Sequence, residues 1–554
     1  LLASGDPDAN FRTRPIYTGY PSSGTSSGSP IPIFNVDGSV NLTAVKAAVA
    51  AAGGSLPGTD ATQTRMLEWL AGKGRSWRLG PIMGSTPATV SAQPPAYSGL
   101  SVPKREELVY VTTHDGLLHA FRSKTGVEMF AYVPPNLLPR IYQMWAANST
   151  EQRQDEDPNN FTWILGSSPR VQDVPKCTTS GCTWQTHLAV TMGAAANRFV
   201  VLDVTNPVDC SSGTCTLNGA NFFKVVAHSN TSNALDSKMG GTWSLPSYFY
   251  TGTGTTQKAH MALGSGYPVS SSPPAGQGQY YFHFGDVFSA SVPYAAFDTP
   301  VQHTNPGALV DYAVIAGTAA AVDGNNIGDA TYQADLGGSV VRYPLGGASG
   351  KTTIISAGVS HPFYYGPAVL KTSSATYLAA VSGSAAERNE ASGVESKIFV
   401  MKDNSSLLSL AVGDLCTQFS GVTTNCPSTR ARPVGSPLLL ENKPDSSTTR
   451  IEAIILVYDP PPETEPCQSG YSYTIRLQID KTSGGSTSNK LLSVRKDEGR
   501  AGGLSIVGGG SNIAIALSGK GNDKPTIVKV VDTALTSPPT SSPKVLTESW
   551  REVR

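Results

Sequence analysis

One stretch decides the fold: Leu108-Val-Tyr-Val-Thr-Thr-His-Asp-Gly-Leu-Leu-His-Ala-Phe121. It places two short apolar runs, 108–112 and 117–121, on either side of an Asp-Gly pair. Strand-forming residues around Asp-Gly are a strong short-range signal of a β-hairpin, because the turn needs a residue that tolerates positive φ. A second hairpin is predicted at 332–343, and a looser one at 188–204.

A recurring entry turn leads into several of the apolar runs. Its copies are Gly84-Ser-Thr-Pro87, Gly166-Ser-Ser-Pro169, Trp243-Ser-Leu-Pro246, Tyr365-Gly-Pro367 and Gly435-Ser-Pro437. Their prolines are 82, 77, 121 and 70 residues apart, and a strand-like segment at 504–507 follows about 70 residues later. Multi-strand units with a repeated entry turn are typical of propeller blades. We therefore predict an all-β fold, a β-propeller of about seven blades with loop insertions. A pair of β-sandwich domains is the alternative.

Composition favours the same class. A chain of 554 residues exceeds one ordinary hydrophobic core, so it needs several domains or a repeat architecture. Gly 56 and Pro 40 with only 15% charged residues favour short strands joined by turns. Lys+Arg 41 against Asp+Glu 41 leaves no basic field, so nucleic acid is not an expected partner. No apolar run reaches the roughly 18 residues of a transmembrane span.

The first 75 residues differ from the rest of the chain. Helices are predicted at 42–52 and 60–71, the second with Asp60 as its N-cap, and everything after Trp77 is predicted to form strands. The chain opens at Leu1 without a Met or a charged leader, so we expect part of a longer exported protein. The predicted domains are a partly helical lead-in segment at 1–75, a β-propeller at 76–540 and a C-terminal tail at 541–554.

Six of the seven cysteines fall into close pairs: Cys177 with Cys182, Cys210 with Cys215, and Cys416 with Cys426. Each pair brackets turn-like residues, as expected of a disulfide that closes a surface hairpin or loop. Such bonds require an oxidising compartment, so an extracellular protein is expected. A zinc site is the alternative, although no histidine lies at ligand spacing nearby. Cys467 has no predicted partner.

Several stretches, taken in order, resemble the PilC/PilY-type proteins of type IV pili. They are Arg75-Ser-Trp-Arg-Leu-Gly-Pro-Ile-Met-Gly-Ser-Thr-Pro87, then 109–121 with Phe130-Ala-Tyr-Val-Pro-Pro135, then 198–207 and 332–343. The resemblance covers about residues 75 to 345. It implies a C-terminal β-propeller whose larger protein carries an N-terminal adhesive module.

The same resemblance implies a function. Members of the family act at the pilus tip or the outer-membrane surface, in pilus biogenesis, adhesion and twitching motility. The implied partners are minor pilins or the pilus tip complex, and a host or abiotic surface. The expected protein is therefore a binding and assembly module, not an enzyme.

The resemblance further implies a calcium-binding loop just before residue 332. Here it reads Ala321-Val-Asp-Gly-Asn-Asn-Ile-Gly-Asp329. Matched to the family loop, the ligands are Asp323, Asn325, the backbone carbonyl of Ile327 and Asp329, the oxygen donors that Ca²⁺ prefers. The family has Asp where this chain has Ala321, so weak binding is expected. The alternative is an Asx-rich turn held by its own hydrogen bonds.

A periplasmic quinone-dependent propeller dehydrogenase is the alternative function, because such enzymes use similar hairpins. No vicinal Cys-Cys pair and no CxxCH haem motif occurs, and the chain has only seven Trp. Phe130 stands where the first blade of such an enzyme usually has Trp. The histidines lack metal-ligand spacing and no Gly-x-Ser-x-Gly occurs. Asp115 and Asp335 are expected to cap their hairpin turns.

Overall fold

The computed structural model divides the chain into two compact units. The first comprises Leu1–His303 with Ala319–Ile327, and the second comprises Thr304–Thr318 with Gly328–Arg554. The described residues are 11–20, 29–75, 79–82, 85, 87–90, 105–147, 164–178, 181–193, 195–220, 222–228, 241–242, 244, 246–251, 258–264, 279–284, 295–296, 314–318, 327–344, 352–372, 375–383, 395–419, 426–445, 448–461, 464, 470–482, 489–499, 501–507, 512–517 and 526–532.

The lead-in segment forms both predicted helices, α1 (Leu42–Ala51) and α2 (Asp60–Leu70), after a 3-10 turn at Phe11–Thr13. The predicted N-cap of α2 was wrong, because Thr59 occupies that position. The hydroxyl of Thr59 accepts from the backbone of Thr62, and the hydroxyl of Thr62 accepts from the backbone N–H of Thr59. Asp60 is instead the first helical residue, where a carboxylate interacts favourably with the helix dipole.

The first sheet contains the hairpin predicted around Asp-Gly. Its strands, in the order β2-β1-β6-β5-β4-β3, are β1 (Ile16–Thr18), β2 (Ile31–Pro32), β3 (Ala88–Val90), β4 (Leu108–Thr112), β5 (Leu118–Arg122) and β6 (Glu128–Tyr132). Strands β3 to β6 form an antiparallel meander, and β1 joins β6 in parallel, with Ile16 opposite Ala131. Gly116 turns the hairpin at φ +95°, where a Cβ would lie 2.6 Å from Ile141. The lead-in segment thus contributes two strands to this sheet.

A third helix follows β6, so the prediction that everything after Trp77 forms strands was wrong. Helix α3 (Leu138–Ala146) continues from a 3-10 turn at Pro135–Leu137. Pro139 fits its first turn, where a missing N–H leaves no hydrogen bond unmade. The helix forms because its buried apolar residues recur at helical spacing, namely Leu138, Ile141, Met144 and Trp145.

Ten further strands are described in the first unit. They are β7 (Arg170–Thr178), β8 (Gly181–Thr191), β9 (Phe199–Asp203), β10 (Val208–Asp209), β11 (Thr216–Leu217), β12 (Lys224–His228), β13 (Ser247–Thr251), β14 (Lys258–Gly264), β15 (Gln279–Phe284) and β16 (Ala295–Ala296). They pair as β12-β9-β8-β7, as the small hairpin β10-β11, and as β16-β15-β14-β13. The β8–β9 pair confirms the hairpin predicted at 188–204.

One hydrophobic core joins the lead-in helices to the first sheet and to the sheet β12-β9-β8-β7. Phe130, at the position where a quinone dehydrogenase usually has Trp, is fully buried in it. Its ring stacks on Phe223 at 5.6 Å and meets the edge of Phe222 at 5.1 Å. Burying one such side chain contributes about 1.5–3 kcal/mol. The lead-in segment is therefore an integral part of this core.

The second unit repeats the antiparallel pattern. Its strands are β17 (Val314–Thr318), β18 (Ile327–Ala334, in this unit from Gly328), β19 (Ser339–Pro344), β20 (Thr352–Ser356), β21 (Ala368–Lys371), β22 (Thr376–Val381), β23 (Lys397–Lys402), β24 (Ser405–Ala411), β25 (Arg432–Pro433), β26 (Leu438–Asp445), β27 (Thr448–Asp459), β28 (Tyr471–Thr482), β29 (Lys490–Glu498), β30 (Ala501–Val507), β31 (Asn512–Leu517) and β32 (Thr526–Asp532). A 3-10 turn at Val412–Asp414 leads into the short helix α4 (Leu415–Gln418).

These strands form successive sheets, among them β18-β19-β20, β21-β22-β23-β24 and β30-β31-β32, while β25 and β26 both pair with β27 in β27-β28-β29. The β18–β19 pair confirms the hairpin predicted at 332–343. Asp335 caps its turn as predicted, since its Oδ1 accepts from the backbone N–H of Ser339 at 2.9 Å.

The all-β prediction is confirmed, and short antiparallel meanders recur along both units as they do in propeller blades. The predicted domain boundaries stay predictions, and residues 541–554 lie outside the described residues. Among the described helices, none has the length and apolar character that crossing a membrane requires.

Candidate functional site

The predicted calcium loop falls largely outside the described residues. Ala321, Asp323 and Asn325 lie there. Strand β18 begins at Ile327, so the backbone of Ile327 and Asp329 belongs to this strand. Their side chains lie outside the described part of the structure. The calcium site therefore stays a prediction.

The described residues bring together a chain of buried polar groups that we call the ionic clasp. Two members belong to the lead-in segment, one before β1 and one after α2. Four belong to the first sheet, in the β4–β5 turn, on β5 and at the start of β6. The six are Arg14, Arg75, Thr113, Asp115, His119 and Glu128.

At one end of the clasp, Arg75 binds Asp115. Nη1 of the arginine donates to Oδ2 of the carboxylate at 2.8 Å, and both side chains have 0% exposure. The guanidinium also lies over the ring of Trp69, 4.7 Å from its centroid. The other carboxylate oxygen, Oδ1, accepts from the hydroxyl of Thr113 at 2.5 Å. The prediction that Asp115 caps its turn missed its main partner, because the carboxylate ties the turn to the lead-in segment.

At the other end, Arg14 binds Glu128 through two hydrogen bonds. Nε donates to Oε2 at 2.6 Å and Nη2 donates to Oε1 at 2.8 Å. The two side chains are 3% and 4% exposed. This paired geometry matches a guanidinium fork to a carboxylate and is the strongest form of such a contact.

His119 joins the two ends. Its Nδ1 lies 2.6 Å from Oε1 of Glu128, and its Nε2 lies 3.0 Å from Oγ1 of Thr113. The imidazole is fully buried and stacks on the ring of Phe121 at 5.6 Å with 14° between the planes. Hydrogen bonds therefore run without interruption from Arg75 to Arg14.

The electrostatics of the clasp keep both carboxyl groups ionised. Burial by itself raises the pKa of Asp115, but Arg75, His119 and the hydrogen bond from Thr113 outweigh burial and lower the pKa overall. Burial likewise opposes ionisation of Glu128, and the charge and hydrogen bonds of Arg14 outweigh it, so that its pKa lies far below the usual range. Buried ions of this kind are tolerated only while their partners remain in place.

This arrangement suits docking and not catalysis. Each carboxylate oxygen of Asp115 and Glu128 already accepts a hydrogen bond from another member of the clasp. The charged side chains are also buried, so they offer no face to a substrate. The clasp binds two arginines of the lead-in segment to two carboxylates of the first sheet.

Sequence reasoning missed the clasp. His119 was interpreted as one of several histidines without metal-ligand spacing. Arg75 was noted only as the first residue of the first stretch that resembles the family. Arg14 and Glu128 are 114 residues apart, and no local pattern connects them. The available signal was the presence of Thr113 and His119, two polar residues close to the Asp-Gly turn of a largely apolar hairpin.

Two of the three predicted disulfides are present. One joins Cys210 to Cys215 at the end of the β10–β11 hairpin, and the other joins Cys416 to Cys426. In the β7–β8 register Cys177 lies directly opposite Cys182, and only the backbone of these two is described. The third bond stays a prediction, and Cys467 lies outside the described residues.

Within the described part of the chain, potential metal ligands gather at one place, formed by Glu106, Cys210 and Cys215. The two sulfur atoms are bonded to each other, so they offer no thiolate to a metal. Glu106 also accepts from Nε of Arg122 at 2.6 Å. The oxidised protein therefore has no zinc centre at this pair.

Two curated proteins align with part of the chain, whereas no protein-family model matches it. The type IV pilus biogenesis factor PilY1 of Pseudomonas aeruginosa (strain UCBPP-PA14) is 30% identical over 145 residues, which are 24% of this chain and 12% of that protein. The PilY1 homolog of Xylella fastidiosa is 27% identical over 147 residues, 24% of this chain and 11% of that protein. The alignments thus span about a tenth of each relative.

Solved structures include similar chains. The C-terminal domain of Pseudomonas aeruginosa PilY1 has a TM-score of 0.41 at 14% identity, covering 76% of this chain and 93% of that one. A quinohemoprotein alcohol dehydrogenase from Comamonas testosteroni has a TM-score of 0.36 at 10% identity, covering 74% and 62%. BamB from Moraxella catarrhalis has a TM-score of 0.30 at 10% identity, covering 74% and 78%.

Both curated relatives carry the name PilY1, which belongs to the family that the stretches between residues 75 and 345 resemble. The predicted resemblance is therefore confirmed: over the aligned segment this chain is similar to proteins of the PilY1 type.

Proposed function

We propose that this chain takes part in type IV pilus biogenesis and that it works by binding other proteins, without catalysing a reaction. The observation that carries the proposal is the 30% identity over 145 residues to the pilus biogenesis factor PilY1. The finer role follows the family resemblance: a place at the pilus tip, minor pilins or the tip complex as partners, attachment to a host or abiotic surface, and twitching motility.

Two features of the described residues support a binding role outside the cytoplasm. The disulfides Cys210–Cys215 and Cys416–Cys426 fit a protein exported through the periplasm to the cell surface. The charged groups of the ionic clasp are buried in ion pairs, as expected of a rigid scaffold.

Calcium binding is part of the proposal. Asp323, Asn325, the Ile327 carbonyl and Asp329 supply the hard oxygen donors that Ca²⁺ takes, and their alternate spacing fits a tight loop. The missing carboxylate at Ala321 lowers the negative charge that offsets dehydration of the ion. The expected role is weak, modulatory binding.

Deletion of the gene in the source bacterium, followed by counting of surface pili, tests the role in biogenesis. Pili should decrease and return when the wild-type gene is restored. Gly116→Val should not restore them, because its Cβ would meet Ile141 and Ile164 inside the core at 2.6 and 2.7 Å. Gly213→Val is the matched control: Gly213 is also a turn glycine with positive φ, but a Cβ there meets nothing within 4 Å. An unchanged number of pili in the deletion strain would contradict the proposal.

An absorbance spectrum separates this function from the quinone-dependent alternative. Purified protein should show only the absorption of its aromatic residues and disulfides, before and after incubation with pyrroloquinoline quinone and calcium followed by desalting. A retained quinone band, together with dye-linked alcohol oxidation, would favour the dehydrogenase.

A further inference from the structure

The end of the β10–β11 hairpin brings three potential metal ligands together. One sulfur or oxygen atom from each of Cys210, Cys215 and Glu106 lies within 4.8 Å of the other two. The three residues are half-buried, so an ion can reach them from solvent. In the oxidised protein the two sulfur atoms are bonded to each other and offer no thiolate. Reduction of this disulfide is therefore the condition under which the cluster gains two further ligands.

The contacts that shape this hairpin do not involve its sulfur atoms. Strands β10 and β11 pair through two antiparallel rungs. Val208 is buried in the core of the first unit, and Leu217 packs against that core. The backbone N–H of Asn218 donates to the carbonyl of Pro207 at 3.0 Å. Because all of these contacts remain when the disulfide is reduced, they keep the two cysteines close to each other.

The spacing of the two cysteines fits one zinc ion. The Cα atoms of Cys210 and Cys215 are 4.1 Å apart. Two thiolates bound to one tetrahedral Zn²⁺ lie roughly 3.8 Å apart, because each Zn–S bond is about 2.3 Å long. Side chains that run parallel from these two Cα atoms therefore hold their sulfur atoms at the separation that zinc requires.

Glu106 is oriented to serve as the third ligand. Its Oε1 accepts from Nε of Arg122 on β5 at 2.6 Å, and its side chain is 11% exposed. A carboxylate has several lone pairs, so this hydrogen bond leaves acceptor capacity for a metal. Carboxylates that bind metals are commonly fixed by such an outer partner. The positive charge of Arg122 also offsets the one negative charge that remains when Zn²⁺ binds two thiolates and a carboxylate.

The donor atoms indicate which metal the cluster would take. Thiolates select Zn²⁺ and Cu⁺, whereas Ca²⁺ and Mg²⁺ take oxygen ligands. A carboxylate is a common ligand of Zn²⁺ but a poor one for Cu⁺. Two sulfur atoms with one carboxylate oxygen therefore favour zinc.

We propose that Cys210, Cys215 and Glu106 form a zinc site in the reduced protein and that formation of the Cys210–Cys215 disulfide releases the ion. A dithiol reductant supplies two electrons and two protons, the S–S bond breaks, and the reductant becomes a disulfide. Zn²⁺ then binds both sulfur atoms as thiolates, the two protons leave to solvent, and water takes the fourth position. Proteins are synthesised in a reducing cytoplasm, so the zinc-binding state precedes the disulfide. This inference does not depend on the proposed function.

Alkylation of the reduced full chain by iodoacetamide, followed for each cysteine by peptide mass spectrometry, tests the site. One equivalent of Zn²⁺ should slow alkylation of Cys210 and Cys215 by more than about tenfold, because the free thiolate is the nucleophile, and EDTA should restore the rate. Cys416 and Cys426 are the matched control. They also form a disulfide, but among the described residues no His, Asp or Glu joins them in such a cluster.

Two results of this experiment would overturn the proposal. One is an unchanged alkylation rate at Cys210 and Cys215, whether or not the reduced chain stays folded. The other is equal slowing at the control pair, which would mean that any two neighbouring thiols suffice. The oxidised wild type should retain no zinc after gel filtration, and retention would contradict the dependence on reduction.

Glu106→Gln tests the third ligand, because it removes the carboxylate with little change of shape. The zinc concentration that halves alkylation of the Cys210–Cys215 pair should rise about 10- to 100-fold. Arg122→Gln is the matched control, since it breaks the same ion pair and leaves the carboxylate in place, so the rise should be much smaller. Equal rises in the two variants would show that Glu106 acts through its ion pair and would overturn the three-ligand site.

Discussion

Replacing Arg75 by Met should destabilise the first unit strongly. The substitution removes the cation 2.8 Å from Asp115 and leaves a carboxylate of zero exposure without its main partner. Breaking a buried ion pair from one side costs about 3–5 kcal/mol, because the remaining charge stays buried. Replacing both residues, Arg75→Met with Asp115→Leu, removes the stranded charge, so most of the loss should be recovered.

Urea unfolding followed by tryptophan fluorescence measures this loss, since Trp69 packs against the Arg75 guanidinium and reports on that site. Lys46→Met is the matched control. It breaks an ion pair of 2.5 Å whose side chains are 38% and 78% exposed, and such pairs contribute about 0–1 kcal/mol. Equal losses of unfolding free energy for Arg75→Met and Lys46→Met would refute the claim that the clasp contributes strongly to stability because it is buried. A double variant as unstable as the single one would refute the stranded-charge explanation.

Three further predictions concern the disulfides, the calcium loop and acid stability. Each short disulfide should contribute about 2–3 kcal/mol, measured by urea unfolding of Cys210→Ser/Cys215→Ser, and non-reducing peptide mapping should also find Cys177 bonded to Cys182. A free Cys177 thiol in protein made in an oxidising compartment would contradict this. Calorimetry should find calcium binding on the order of 10⁻⁴ to 10⁻³ M, abolished by Asp329→Ala and tightened by Ala321→Asp. No heat in the wild type or in Ala321→Asp would mean that the loop is an ordinary turn. Acidification from pH 7 to pH 3 should destabilise the first unit. The pKa of Asp115 and that of Glu128 are lowered by folding, so their contribution is present in full above about pH 4 and is lost progressively below it, as the pH falls toward the lowered pKa values. Circular dichroism should show that the double variant Arg14→Met/Glu128→Leu loses less stability between pH 7 and pH 3 than the wild type does. An equal loss of stability would mean that other groups cause the acid effect.

Local features could be predicted from the sequence because their signals are local. The hairpins around Asp115 and Asp335 follow from turn residues between strand-forming runs, and the structure has both. The same holds for α1, α2 and the Cys210–Cys215 bond, whose partners are five residues apart.

Other features depended on tertiary contacts or on competition between local signals. Helix α3 was missed because strands were predicted throughout this part of the chain, although the apolar residues of 138–146 recur at helical spacing. The N-cap of α2 was misplaced by one residue, since Thr59 and Asp60 are both good caps and the reciprocal bonds with Thr62 decided between them. The Arg14–Glu128 pair of the ionic clasp could not be predicted from the sequence, because only the folded sheet brings these two residues together.

The central claim is that this chain serves pilus biogenesis by binding pilus proteins. The most direct measurement is capture of the minor pilins of the source bacterium on the purified full chain, with Gly116→Val and Gly213→Val as paired baits and detection by mass spectrometry. The account predicts that the wild type and Gly213→Val retain at least one minor pilin and that Gly116→Val, with its first sheet disrupted, does not. A correctly folded wild-type chain that retains no minor pilin would contradict it.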